Sequence, residues 1–174
     1  NWLNRAAIQS WLTTIHLWQN LHVTECQLDE LWSFVHVKEK NHAHVKHYYQ
    51  SYGDAWIWVA FATPFRVVLA FVVGLLPQNH ANRIDERVKY VTDNHIPFFT
   101  SDQLPAYRKA LLHVYGKDYQ PALHLKRGRY PAKQRLPLPE LLYAGVVKHQ
   151  ENGHVIGVKR QIVFGDAEQI EARL

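Results

Sequence analysis

The sequence predicts an α/β protein built on a mixed β-sheet with flanking helices. Three observations lead to this class. Residues 27–76 contain three consecutive strand-like segments, residues 82–115 follow a helix-strand-helix pattern, and two alternating segments flank the turn Asn152-Gly153. The predicted order is therefore βββαβα, with an extra β-hairpin near the C-terminus.

Size and composition limit the class of protein further. The 174 residues are 47% hydrophobic and 20% charged, which excludes general disorder and suits one principal domain. Cys26 is the single cysteine, so a disulfide scaffold is excluded and a reducing compartment is favoured. The formal net charge of +5 favours an anionic partner. Because the chain lacks Met and begins inside a helical pattern, we expect a piece of a longer protein.

The first elements follow from hydrophobic periodicity. Residues 1–21 have apolar side chains at helical spacing, which predicts an amphipathic helix that precedes a core at residues 22–174. From Gln27 onward the period changes to two, with apolar residues on both faces, as in a central strand. Asp29 interrupts this apolar strand.

Residues 55–76 are apolar enough to raise the question of a membrane span. Thr63, Pro64 and Arg66 interrupt the segment, and an Arg at the middle of a bilayer costs ~2.5–3.5 kcal/mol. The segment therefore predicts two buried strands, 55–62 and 67–74, joined by a turn. We expect no membrane partner.

The second half alternates between helices and strands. Residues 82–94 predict a helix, residues 96–102 a short buried strand that ends at Asp102, and residues 103–115 a second helix. Residues 124–139 combine five cations with three prolines and predict an extended basic loop. Segments 142–149 and 155–164 predict the hairpin, and Asp166 predicts the N-cap of a last helix.

Asp29 and Asp102 are the candidate catalytic and metal-binding residues. Each acid ends or interrupts an apolar strand, and two adjacent central strands can bring such acids together. Mg²⁺ is held in proteins by one or two carboxylates with substrate phosphates. The alternative from the residues alone is that both acids are solvated at strand ends or paired with Arg or Lys.

Two segments around these acids resemble one family. The strand at residues 27–35 (QLDELWSFV) resembles the first-aspartate strand of bacterial insertion-sequence transposases of the insertion-sequence-one type. Residues 54–74 resemble the paired strands that follow it, and residues 99–107 (FTSDQLPAY) resemble the second-aspartate strand and its helix. The likeness covers roughly residues 20–115 and is looser beyond them.

The resemblance implies a ribonuclease H-like fold and a specific chemistry. Asp29 and Asp102 would be the first two members of an Asp-Asp-Glu triad that binds Mg²⁺ (or Mn²⁺) for DNA strand cleavage and strand transfer. The implied partners are double-stranded DNA at transposon ends and target, and further copies of the full-length chain. The implied location is the bacterial cytoplasm, in association with the nucleoid.

The sequence departs from the family pattern at the third carboxylate of the triad. The family has a Glu on a late helix, followed by Arg and an Asn-Leu pair, and no such motif occurs here. Glu168 and Glu171 are weak substitutes, so we expect the true Glu to lie beyond Leu174. In that case this chain would bind metal poorly and would not catalyse.

Further candidates are the basic loop and a histidine group. The resemblance favours phosphate contacts for five cations of the basic loop. On the sequence alone, these cations would also suit a solvated surface loop. They are Lys126, Arg127, Arg129, Lys133 and Arg135. Four histidines have a spacing that is unspecific for zinc and suits a polar loop: His36, His42, His44 and His47. Cys26 has no adjacent His, which argues against a nucleophile.

The sequence thus leaves three functions open. The first is a transposase catalytic core, and the second is a catalytically inactive remnant that only binds DNA. The third is a metal-dependent nuclease unrelated to transposition. A third acid beside the Asp pair would separate the first from the second.

Overall fold

The computed structural model describes residues 2–47, 49, 52–75, 78–102, 104–122, 131–151 and 154–174. Over these residues the elements are α1 (Trp2–Leu17), β1 (Glu25–Val35), β2 (Gly53–Ala62), β3 (Val67–Gly74), α2 (Gln78–Val91), β4 (Phe98–Ser101), α3 (Pro105–Val114), β5 (Gly116–Tyr119), β6 (Gln134–Pro137), β7 (Tyr143–Glu151), β8 (His154–Phe164) and α4 (Ala167–Glu171). A 3₁₀ helix, Glu39–His44, lies between β1 and β2.

In this part of the chain, six strands form one mixed sheet in the order β3-β2-β1-β4-β7-β8. β1, β4 and β7 are mutually parallel neighbours, whereas β2, β3 and β8 pair antiparallel with their neighbours. β5 and β6 form a separate two-stranded sheet. The predicted α/β class with a mixed sheet, flanking helices and a C-terminal hairpin is confirmed.

The interrupted apolar segment forms a hairpin, as predicted. β2 and β3 pair antiparallel from Trp56↔Gly74 to Ala62↔Val67, and residues 63–66 make the turn between them. Arg66 has φ 54°, a left-handed conformation that reverses the chain direction. Among the described residues, no helix is long and apolar enough to cross a bilayer.

The main core lies on one face of the sheet, under α2 and α3. Leu28 and Trp58 from the strands pack there with Ile84 and Leu111 from the helices, all at most 1% exposed. A smaller apolar cluster on the other face joins α4 to the sheet through Ile170, Phe98, Leu142 and Ala144. The β1–β3 part of this second face is more open, and Leu31 is 54% exposed.

Helix α1 forms as predicted, but much of its apolar stripe stays exposed. Ile8 is 60% and Leu12 54% exposed. The helix is held mainly by tryptophans: the Arg87 guanidinium lies 3.9 Å from the Trp11 ring centroid, and Trp18 Nε1 donates to the Val68 carbonyl at 3.2 Å. Cation–π and side chain–backbone contacts therefore replace part of the expected packing.

Three predicted boundaries differ from the structure. α2 begins at Gln78 rather than at residue 82, because polar side chains in its first turn hide the start of the apolar period. β4 is shorter than predicted and begins after Pro97. Residues 134–137, which were expected to be irregular, form β6 and pair with β5. Pro137 does not prevent this pairing because it stands at the end of the strand, where proline is tolerated.

Candidate metal and phosphate site

The short strand β4 creates a cleft at the carboxyl edge of the sheet. β4 ends at Ser101, whereas β1 and β7 continue beyond it on either side. Their continuations are paired with β2 and β8 but have no strand between them, so they form the walls of a cleft of about 570 Å³. It is lined by Gln27, Leu28, Asp29, Thr100, Ser101, Asp102, Val146, Val147, Lys148 and Leu174.

Asp29 and Asp102 both line this cleft. Gln27 pairs with Thr100 in the parallel register of β1 and β4, so the two acids, each two residues further on, come to the same level of the sheet. Both are exposed, and Asp29 Oδ1 accepts a hydrogen bond from the Glu30 amide at 2.9 Å. Their exposure fits the alternative that both acids are solvated at strand ends.

Asp102 follows a well-anchored strand end. Ser101 is buried, and its Oγ lies 2.7 Å from the Tyr143 hydroxyl on β7. Helix α3 then begins at Pro105, a residue suited to the first turn of a helix. Asp102 lies between these two anchors and lines the cleft.

Glu30 is an acid near the cleft that the sequence analysis did not select. It follows Asp29, so its side chain points to the opposite face, where it accepts a hydrogen bond from the Tyr107 hydroxyl of α3 at 3.0 Å. Burial, and then the Asp102 carboxylate, raise the pKa of Glu30, while the Tyr107 bond lowers it and Asp29 raises it. The sequence signal that could have indicated Glu30 is that it directly follows another acid, Asp29.

We expect Tyr107→Phe to raise the pKa of Glu30 further, because it removes a hydrogen bond that stabilises the carboxylate. The lost bond should also cost ~1–3 kcal/mol of stability. Site-specific NMR titration of the Glu30 carboxyl carbon measures the first effect. Tyr90→Phe is the control, since Tyr90 is 69% exposed. An unchanged Glu30 titration in Tyr107→Phe would contradict the assignment.

No third carboxylate completes the cleft within the described ranges. Glu168 and Glu171 are exposed and are not among its lining residues. In the same ranges, no group of three or more His, Cys, Asp or Glu side chains is arranged to hold a metal ion. The two acids alone still fit a hard, hydrated cation, since they are exposed oxygen donors at one level of one cleft.

Of the five predicted phosphate contacts, Lys133 and Arg135 are described, and neither lines the cleft. Lys126, Arg127 and Arg129 fall outside the described residues, and Lys133 is exposed. Arg135 donates to the Leu112 and His113 carbonyls at 2.9 and 2.6 Å and pairs with Asp118 at 2.8 Å. These bonds attach β6 to α3, so the Arg135 guanidinium has a structural role in this arrangement.

The histidine group and Cys26 have other surroundings. The His36 ring stacks on Tyr52 with centroids 4.4 Å apart, and His42 and His44 belong to the 3₁₀ helix. His47 is exposed. Cys26 is 1% exposed, and burial raises the pKa of its thiol, which disfavours the thiolate that a nucleophile requires.

Lys148 on β7 is the cation that does line the cleft. Lys148 lies in the predicted hairpin segment 142–149 and is not among the predicted site residues. Its position follows from the register of β7 with β4, which no local sequence pattern reveals.

Comparison with known proteins identifies no relative. No protein-family model, curated protein or solved structure matches this chain. The cleft and the resemblance of its two strands are the observations that bear on function.

Proposed function

We propose that this chain is the catalytic core of an insertion-sequence transposase with a ribonuclease H-like fold. In this proposal Asp29 and Asp102 bind Mg²⁺ or Mn²⁺ and the substrate is duplex DNA. The observation that carries the proposal is that two residues 73 positions apart, selected from separate motifs, line one cleft. The sheet order β3-β2-β1-β4-β7 with parallel β1, β4 and β7 supports the fold assignment.

The residues of the cleft have separable roles in this proposal. The Asp29 and Asp102 carboxylates supply oxygen ligands, and Lys148 supplies positive charge for a substrate phosphate. A pair of bound metal ions would activate the attacking hydroxyl and stabilise the leaving oxygen of a phosphodiester. The bond from Tyr107 holds the Glu30 carboxylate toward α3, where the charge of Asp102 still acts on it.

A second candidate function is a remnant that binds DNA without cleaving it. The observation that favours it is the lack of a third acidic residue among those that line the cleft. Both candidates require DNA binding, and they differ in whether metal-dependent strand cleavage occurs. A nuclease unrelated to transposition would share the acids and the cleavage but not the recognition of transposon ends.

We expect Asp29→Asn and Asp102→Asn each to weaken Mn²⁺ binding at least tenfold, because each removes one of two charged ligands, a loss of about 1.4 kcal/mol or more. Calorimetric titration of the chain and its variants with Mn²⁺ measures this. Glu140→Gln is the matched control, since Glu140 is an exposed acid that precedes β7, at its opposite end from the cleft.

The titrations of these variants decide whether Asp29 and Asp102 form one metal site. Loss of binding in both Asp variants, with Glu140→Gln unchanged, would support one site that contains both acids. Mn²⁺ binding that is equal in all four proteins would refute the proposed metal site. A cleavage assay on supercoiled DNA then separates the transferase from the DNA-binding remnant.

A further inference from the structure

The hairpin β7–β8 extends well past the centre of the sheet. β7 pairs with β4 only from Tyr143 to Gly145, and it pairs with β8 along its whole length to Glu151. Residues 146–151 and 154–160 therefore form a two-stranded ribbon beside the cleft, which we call the ribbon. Six residues at ~3.4 Å rise give it a length of ~20 Å.

Two cations of the ribbon lie on the cleft side. Asp102 comes directly after Ser101, the partner of Gly145, and so lies level with Val146. Val146, Val147 and Lys148 all line the cleft, and Val146 and Lys148 share one face because successive side chains of a strand alternate. Arg160 pairs directly with Val146 across the ribbon, and directly opposed residues of an antiparallel pair point to the same face. Lys148 and Arg160 are thus diagonal neighbours on the cleft side.

Lys159 has the opposite orientation. It pairs with Val147, one residue along each strand from the Val146↔Arg160 pair, and successive side chains of a strand alternate between faces. Lys159 and Arg160 are both exposed and adjacent in sequence, so they differ mainly in the face that they occupy. Substitutions at Lys159 and at Arg160 can therefore be compared to test whether the face of the ribbon matters for binding.

Lys148 and Arg160 have no carboxylate partner among the described residues, where the ion pairs involve His22, His113 and Arg135. The cleft beside them carries two carboxylates, which repel a nucleic-acid phosphate. Exposed cations on the cleft side offset that repulsion and attract the phosphate backbone. Charge complementarity thus favours a polyanion as the occupant of this face.

The shape of the ribbon favours duplex DNA. The major groove of B-form DNA admits a two-stranded β-ribbon, whereas the major groove of A-form RNA is too narrow for side-chain contact. The competing occupant is a second copy that pairs with the edge strand β8, where Ile156 is 61% exposed. Antiparallel self-pairing centred on β8 would bring Lys159 opposite Lys159, and directly opposed like charges are destabilising.

We infer that the ribbon is a duplex-DNA contact surface in which Lys148 and Arg160 bind backbone phosphates beside the acidic cleft. This inference rests on the proposed function for its substrate class. It adds a binding element, on β7 and β8, that is separate from the basic segment at residues 124–139. The ribbon would hold the DNA backbone against the edge of the sheet where Asp29 and Asp102 lie.

Fluorescence anisotropy of a labelled duplex of mixed sequence tests the inference. The titrations contain EDTA, so that metal binding does not contribute, and they cover a range of salt concentrations. Lys148→Gln and Arg160→Gln should each weaken binding several-fold and reduce the slope of log K against log salt concentration by about one. Lys159→Gln should leave affinity and slope close to those of the unmodified chain.

The possible results separate the two proposals. If the unmodified chain does not bind the duplex, the proposed function and the ribbon contact are both overturned. If it binds, but Lys159→Gln weakens binding as much as Arg160→Gln, the face assignment is overturned and general charge is sufficient. Binding insensitive to all three substitutions, with a dimer in size-exclusion chromatography, would make the ribbon a contact between copies. Equal thermal melting of the four proteins is the folding control.

Discussion

Asp85→Asn is expected to make the protein more stable at pH 8 than the unmodified chain, by an amount on the order of 1 kcal/mol or more. Asp85 lies on α2, is 0% exposed, and its two carboxylate oxygens have no hydrogen-bond partner among the described residues. Burial, and then the neighbouring Glu86, raise the pKa of Asp85 well above its ordinary value. The folded state therefore prefers the protonated acid.

The pH dependence follows from this difference between states. Below about pH 4 the carboxyl is protonated in both the folded and the unfolded chain, so its charge has no effect on stability. As pH rises, the unfolded chain releases the proton first, and stability falls by up to ~1.4 kcal/mol per pH unit until the folded-state pKa is passed. The amide that replaces the carboxyl in the variant cannot ionise, so that loss should vanish there.

Urea unfolding of both proteins between pH 4 and pH 9 measures this effect as a difference in unfolding free energy. The two should be close near pH 4 and should separate progressively above it. Glu140→Gln, a substitution at an exposed acid, is the control for a general charge effect. A constant difference across the whole range would show that Asp85 is not held protonated in the fold.

The groups around Asp85 are also affected by burial. Burial, and then the Asp85 charge, raise the pKa values of the Cys26 thiol and the Tyr115 hydroxyl. Asp85 also contributes to the raised pKa values of Tyr107 and Tyr143. These four groups are neutral at pH 7, because each pKa is raised above an ordinary value that already exceeds 7.

Trp58→Ala is expected to lower the unfolding free energy by ~3–5 kcal/mol, a large fraction of the ~5–15 kcal/mol of a typical domain. Trp58 is 0% exposed, and its ring packs edge-to-face on Tyr107 with centroids 5.5 Å apart. Its Nε1 donates to the Leu75 carbonyl at 3.1 Å. The substitution removes the largest fully buried side chain between the sheet and the helices.

Trp32→Ala is the matched control. Trp32 lies on the neighbouring strand β1 but is 43% exposed, and its contacts are with Phe34 and Lys38. We expect a loss of ~1 kcal/mol or less there. Trp58→Phe should fall between the two and keeps the test usable if Trp58→Ala does not fold. Equal effects at Trp58 and Trp32 in urea unfolding would contradict the assigned core.

The sequence predicted the position of the two acids better than their environment. Alternation in β1 and the apolar run before Asp102 were sufficient to place both acids on strands or at strand ends. The expectation that adjacent central strands unite them agrees with the cleft. Their exposure was not predictable locally, because it depends on how far the α4 side of the sheet is covered.

Some features needed contacts between distant segments. The pair β5–β6 joins residues 116–119 to residues 134–137 within the basic segment, and three prolines concealed the second strand. The Tyr107–Glu30 bond spans 77 positions. Lys148 reaches the cleft only because β7 lies beside β4 and continues beyond it.

The sequence by itself determined the class of fold, the order of its main elements and the identity of the two acids. Periodicity, turn residues and the N-cap at Asp166, whose side chain accepts from the Gln169 amide at 3.0 Å, are local properties that a linear pattern carries. The tertiary structure decided which residues meet at the cleft. The register of parallel strands and the early end of β4 arise from packing across the whole sheet, and these set the positions of Lys148 and Arg160 relative to Asp29 and Asp102.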